Sequence, residues 1–155
     1  MEKFEQLKRT LRDETKKYLK LYMPTEQQVK LNKQLKRQGV QVHRNVRRGT
    51  FHERFQNRLV EMADSYGLVG KKEHGVQSGF IDVLWKTPSG QEVVAIELDT
   101  KNNHRAIKKL MESKAKYAIW ITVGTNFDID DYNYLGEVEL DRLVTEQKEI
   151  HFLVI

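Results

Sequence analysis

The sequence predicts an α/β protein, a mixed β-sheet flanked by helices, with a basic helical extension ahead of it. Three observations predict this class. Residues 79–99, GFIDVLWKTPSGQEVVAIELD, read as two short apolar strands around a turn. Apolar residues recur at helical spacing before that hairpin and again after it. The charge is also divided: residues 1–50 hold 14 Lys/Arg against 5 Asp/Glu, a net +9, whereas residues 51–155 hold 13 against 17, a net −4. The division is placed after residue 48, giving a basic helical extension over 1–48 and an α/β core over 49–155.

Phe4, Leu7, Leu11, Tyr18, Leu21 and Tyr22 predict an amphipathic helix over 2–22, which Pro24 ends. A second short helix follows. Thr25 and Gln28 form a capping-box pattern at its start, Lys36 and Arg37 lie in its last turn, and Gly39 stops it. Val40 and Val42 then alternate with polar residues in an extended arm. A third helix runs from about 51 to 66 on a Phe51, Phe55, Leu59, Met62, Tyr66 stripe, with Gly67 as its stop. LVGKKEHGV reads as a first strand, GFIDVLWK as a stronger second one, TPSG as a turn and QEVVAIELD as the return strand. Ile107, Leu110, Met111 and Ala115 place a helix over 103–116, and YAIWITVG is a buried strand after it. A helix of that length is a natural right-handed crossover, so this strand is expected parallel to the 92–99 strand. Leu135, Val138, Leu140, Leu143 and Val144 predict a further helix or turn region, and EIHFLVI closes the chain as a strand.

The bulk numbers restrict the chemistry. A chain of 155 residues suits one domain of ordinary size. Hydrophobic residues make up 39% and charged residues 32%, which is polar but not a disordered composition. The absence of cysteine excludes disulfides and thiolate-held zinc or iron–sulfur centres. No apolar run approaches the roughly 20 residues of a membrane helix, and the N-terminus has no signal-like apolar segment. A soluble, cytoplasmic protein without a membrane partner is therefore expected. There is no glycine-rich phosphate loop and no dinucleotide fingerprint. DIDD at 128–131 starts like a calcium loop, but Tyr132 and Asn133 occupy its fifth and sixth places, which rules that out. A basic arm on a mildly acidic body points to a polyanion partner.

The hairpin carries the most informative residues. Asp82, Glu97 and Asp99 lie in otherwise apolar strands, where an unpaired buried charge costs several kcal/mol. A turn centred on Ser89 and Gly90 sets Asp82 directly opposite Glu97, with Cβ atoms about 4.5–5.5 Å apart on one side of the sheet. Asp99 is two residues beyond Glu97 and shares that side. Three carboxylates then converge, and a divalent cation would remove their repulsion. Oxygen ligands without sulfur favour Mg²⁺ or Mn²⁺. Pairing of either acid with one of the many Lys or Arg residues is the competing explanation.

This pattern resembles the PD-(D/E)XK nuclease superfamily. Asp82 matches that family's lone Asp, Glu97 the acid of its acid-x-Lys, and the helix and strand after residue 103 match the elements that follow. The helix beginning near Thr50 matches the preceding one, so the likeness covers about residues 50–123. It implies a restriction-endonuclease-like core, Mg²⁺ (or Mn²⁺) as cofactor, DNA as partner, and endonuclease cleavage of phosphodiester bonds, with Asp82, Glu97 and Asp99 as metal ligands. Asp99 stands where the family has its Lys. Lys101 and Lys108 are candidates to replace that lysine, Asp99 itself could be a ligand, and a dead site is the remaining alternative. Glu53 matches the family's helix-borne acid, although Thr50 and Glu53 also make a capping box; Glu61 is a weaker substitute.

Other signals are less specific. His43, Arg44, Arg47 and Arg48 form the most basic spot and are the expected phosphate contacts. His52 and His104 sit near helix starts, where a lone histidine is more often a surface or capping group. Two readings of another class stay open: the same fold without chemistry, as a DNA-binding or partner-binding module, and a protein-interaction role in which residues 2–22 dock on a second copy, as a homodimer, or on another subunit.

Overall fold

Among the described residues six strands form one mixed sheet in the order β1-β2-β3-β4-β6-β5 in the computed structural model. It describes residues 2–22, 26–40, 48–99, 105–123 and 142–155. The strands are β1 (Val69–Val76), β2 (Gly79–Lys86), β3 (Glu92–Asp99), β4 (Tyr117–Thr122), β5 (Arg142–Val144) and β6 (Glu149–Val154), and the helices are α1 (Glu2–Tyr22), α2 (Glu26–Arg37), α3 (Arg48–Met62) and α4 (Arg105–Glu112). The architecture is α/β, a mixed sheet packed against helices. Two compact units divide the chain, Met1–Phe55 and Gln56–Ile155, so the boundary falls inside α3.

In the first unit, α1 buries Leu7, Leu11 and Thr15 and turns its charged residues outward. Tyr18 packs on Phe55 with ring centroids 5.2 Å apart, and Arg54 lies over the Tyr22 ring at 4.6 Å. α2 ends as its sequence predicts. Gly39 takes φ 78°, Gly39 N–H donates to Lys36 and Val40 N–H donates to Leu35, the paired bonds that close a helix through a left-handed glycine. Thr25 of the expected cap, and most of the 40–48 arm, lie outside the described residues.

In the second unit, the sheet separates two apolar layers. On one face α4 buries Ala106, Ile107 and Leu110 against Leu84, Ala95, Ala118, Trp120, Ile150 and Phe152. Toward α3, Trp85 is fully buried and its indole N–H donates to the Leu59 carbonyl at 2.9 Å. Gly70 permits a close approach on that side, because a Cβ there would fall 2.3 Å from the Val60 carbonyl oxygen. β2 and β3 are antiparallel, and β3, β4 and β6 are parallel to one another. The crossover through α4 thus delivers β4 parallel to β3 as expected. The expectation of a helix or turn at 135–144 fails at its end: Arg142–Val144 pair antiparallel with β6 as a short edge strand. Apolar residues that close together read equally well either way, and the neighbouring strand decides. Among the described residues no helix is long and apolar enough to cross a membrane.

Candidate functional site

The centre of interest is the end of the β2–β3 hairpin away from its turn. Val83↔Ile96, Leu84↔Ala95 and Trp85↔Val94 are paired as expected, but this register does not run to the turn. The ladder shifts by one residue so that Lys86 pairs with Glu92, and Thr87 N–H donates to the Gln91 carbonyl, which corrects the expected Ser89–Gly90 turn with Pro88 facing Gln91. Extrapolated by one step away from the turn, the Val83↔Ile96 register sets Asp82 opposite Glu97. The ladder stops short of this step, and side chains take over its bonds. Glu97 Oε1 accepts from the Asp82 backbone N–H at 3.3 Å, while Asp82 Oδ2 accepts from the Leu98 backbone N–H at 2.8 Å. On the other side of β2, pairing with β1 passes from Lys72↔Val83 to His74↔Ile81 and skips Asp82 again. Glu73 occupies the skipped position with φ 56°, a left-handed conformation uncommon outside glycine. Both ladders therefore lack a pair at Asp82, the β1–β2 ladder without any change of register, whereas the hairpin's own irregularity lies between Trp85 and Lys86. The Asp82 carbonyl is taken by the Gln56 side-chain amide at 2.9 Å. Its N–H and its C=O are thus both satisfied by side chains.

Lys109 completes the group. It projects from α4 onto this end of the hairpin, with Nζ 3.2 Å from Glu97 Oε1 and donating to the Phe80 carbonyl at 3.0 Å. Its stem passes close to Gly79. Glu97 is only 4% exposed. Burial first, and repulsion from Asp82 second, push its carboxyl up to about 8; Lys109 pulls in the opposite direction without overcoming them. Burial therefore favours the protonated form of Glu97, and Lys109 Nζ lies against its Oε1.

The remaining expected residues are placed as follows. Asp99, the last residue of β3, is buried and faces Thr122 of β4. Its backbone carbonyl accepts from the Val123 N–H at 2.9 Å. Glu53 is exposed on α3 within the first unit. Arg48 is the first residue of α3. Lys101, His43, Arg44, Arg47 and His104 lie outside the described residues. Lys108 is exposed, and its neighbour Lys109 is the lysine that meets Glu97. Sequence reading did not single out Lys109. The signal was there: Lys109 lies three residues after Ala106 and one before Leu110, so it borders the buried face of α4, while Lys108 lies on the outer side.

Among the described residues no group of three or more His, Asp or Glu is placed to hold a metal ion. The acids the structure brings together are Asp82 and Glu97. No protein-family model, curated protein or solved structure matches the chain.

A second lysine also escaped the sequence reading. Lys148 is 7% exposed and donates to the carbonyls of Leu110 at 2.6 Å, Met111 at 3.3 Å and Ser113, and to the Ser113 hydroxyl at 2.9 Å. It closes the C-terminus of α4, where a cation complements the helix dipole. Burial lowers its pKa from the ordinary lysine value, and Glu92 opposes that shift.

Proposed function

We propose that the chain is a metal-dependent nuclease-like protein that hydrolyses DNA phosphodiester bonds through Asp82 and Glu97. One observation carries the reading: both ladders open at Asp82, and two strands present carboxylates to one another there. Open ladders and sparse backbone conformations gather where side chains must be aimed rather than merely packed. The order α3, β-hairpin, α4, parallel β4 supports the restriction-endonuclease-like arrangement that the sequence resembles.

The donor set suits a hard divalent cation, which binds through one or two carboxylates plus waters and phosphate oxygens. The chemistry of Glu97 supports that fit. A carboxyl pushed up to about 8 by burial and by Asp82 is one whose ionised form a cation would stabilise. Asp82 and Glu97 would hold Mg²⁺ or Mn²⁺, which when bound supplies polarisation of the phosphodiester and a more acidic water. Lys109, held at 3.2 Å from Glu97, would bring positive charge to a phosphoryl oxygen on which negative charge develops. It is a candidate for the part that Asp99 cannot play in place of the family's lysine. Lys101 remains the alternative carrier of that role, and Asp99 a further ligand.

Supercoiled plasmid incubated with Mg²⁺ or Mn²⁺ tests the proposal. The wild type is expected to nick it, and Asp82→Asn and Glu97→Gln are each expected to lose about 100-fold or more. Absence of cutting, or cutting by both variants at the wild-type rate, rejects it.

A second reading has its own observation. A Glu97 that keeps its proton, with Lys109 beside its Oε1, needs no metal to relieve repulsion from Asp82. A domain that keeps the fold and binds DNA or a partner protein without cutting would have this arrangement. DNA binding that survives chelation, with no cleavage under any divalent cation, selects it.

A further inference from the structure

The first unit carries a surface that the site described above does not use. On α1, Leu7, Leu11 and Thr15 are buried, and the opposite ridge exposes Arg9, Lys16 and Lys20 with Lys17 beside them. Asp13 and Glu5 are acids on that ridge, and Glu5 pairs with Lys8. On α2, Lys30, Lys33, Lys36 and Arg37 are exposed. Lys30, Lys33 and Arg37 recur at i, i+3 and i+7 and so share one side of the helix. Among the residues whose side chains are described, none of these eight cations pairs with an acid. From Gln27 to His52 the sequence holds seven Lys/Arg and no Asp or Glu.

Like charges left unpaired along one helix side destabilise it slightly. A counter-charged partner would convert that cost into affinity. The spacing suits a phosphate backbone. Lys30 and Arg37 are about 10 Å apart along the helix at 1.5 Å per residue, the length of about three phosphates of one DNA strand. Arg9 and Lys20 span about 16 Å, or about five phosphates. A lipid surface is the other polyanion a basic helix can meet, but interfacial helices need an apolar face to insert. The apolar face of α1 is already committed to Leu7 and Leu11, which are 4% and 0% exposed.

We infer that the exposed cations of α1 and α2 form a sequence-independent binding surface for the phosphodiester backbone of duplex nucleic acid. The inference rests on the nuclease-like reading for the identity of the polyanion. It is independent of metal and of Asp82 and Glu97, and it extends the expected grip beyond the arm at 43–48 to two helices.

The test is fluorescence anisotropy of a labelled 20-base-pair DNA duplex with the full chain in EDTA, across a salt series. Three proteins are compared: wild type, Arg9→Glu/Lys16→Glu/Lys20→Glu, and Lys30→Glu/Lys33→Glu/Arg37→Glu. A fourth, Asp82→Asn/Glu97→Gln, controls for the hairpin site. Each charge-reversal variant is expected to weaken binding about tenfold or more at 100 mM salt, and to flatten the log K against log salt slope by about 3, at about 0.9 per lost phosphate contact. The hairpin double variant is expected to keep the wild-type salt slope, since neither substitution removes a lysine or arginine of α1 or α2. Circular dichroism melts check that the exposed substitutions leave the fold intact. Wild-type affinity and slope in both charge-reversal variants overturn the inference, as does wild-type binding to phosphatidylserine vesicles with none to the duplex. A failed cleavage assay leaves this result standing, and failed binding in EDTA leaves the cleavage assay to be judged by itself.

Discussion

Two lysines meet helix α4, and they differ in what they face. Lys148 meets carbonyl and hydroxyl oxygens at the helix end. Lys109 meets a carboxyl that titrates, Glu97, and a carbonyl, Phe80. Fixed dipoles have no proton to exchange, so in the Lys148 arrangement the acceptors stay as they are and the ammonium, whose pKa burial lowers, closes a structural gap. A titrating acid answers to pH and to any competing cation, so the Lys109 arrangement can change state. The difference separates a buried cation that holds the fold from one that belongs to a site.

The largest expected effect breaks the structural side of this comparison. Lys148→Met leaves the carbonyls of Leu110, Met111 and Ser113 without their donor. Urea denaturation should show a loss of about 3 kcal/mol, nearly equal at pH 6 and pH 8. A loss that varied strongly over that interval would place Lys148 in a titrating network. Lys109→Met should cost less and should depend on pH. At pH 6 Glu97 is protonated and the loss should be about 1 kcal/mol; at pH 9 it is ionised and the loss should approach about 2 kcal/mol. Equal losses at both values would show that Glu97 does not titrate between them.

A smaller effect concerns Glu97 alone. Its carboxyl lies near 4.5 in the unfolded chain and is raised to about 8 in the folded one. Between those values the native state binds the extra proton, so this group's contribution to stability falls as pH rises through the window. Glu97→Gln should remove that slope and leave the variant more stable than wild type at pH 8, where the wild-type chain gains the ionised form on unfolding. An unchanged slope in the variant would assign the pH dependence to another group.

The two strands of the hairpin were legible from the sequence because apolar alternation marks them, and Leu84↔Ala95 and Trp85↔Val94 fall in the expected register. The turn was not, because Lys86↔Glu92 lies one residue out of step and a local irregularity, invisible in TPSG, restores the register further along. Gly39 stopped its helix as read; α3 ends earlier than expected, at Met62, and Gly67 closes the 3-10 turn Ala63–Tyr66 that follows it, both glycines taking left-handed φ values that a Cβ resists. The opening of both ladders at Asp82 was not legible. It depends on Glu73 turning to positive φ and on Gln56 reaching from α3 to the Asp82 carbonyl, and neither is a local property of the chain. Lys109 and Lys148 were missed for a related reason. One Lys among 27 Lys/Arg residues carries no mark of its own; a lysine is singled out by what three-dimensional packing sets against its ammonium group.

Carbon-13 NMR of the Glu97 side-chain carboxyl, followed against pH with and without Mg²⁺, tests the central claim most directly. The account predicts a midpoint near 8 in the metal-free protein. Added Mg²⁺ should move it down by at least about one unit, and Asp82→Asn should abolish the Mg²⁺ response. A midpoint near 4.5 that ignores Mg²⁺ would contradict it.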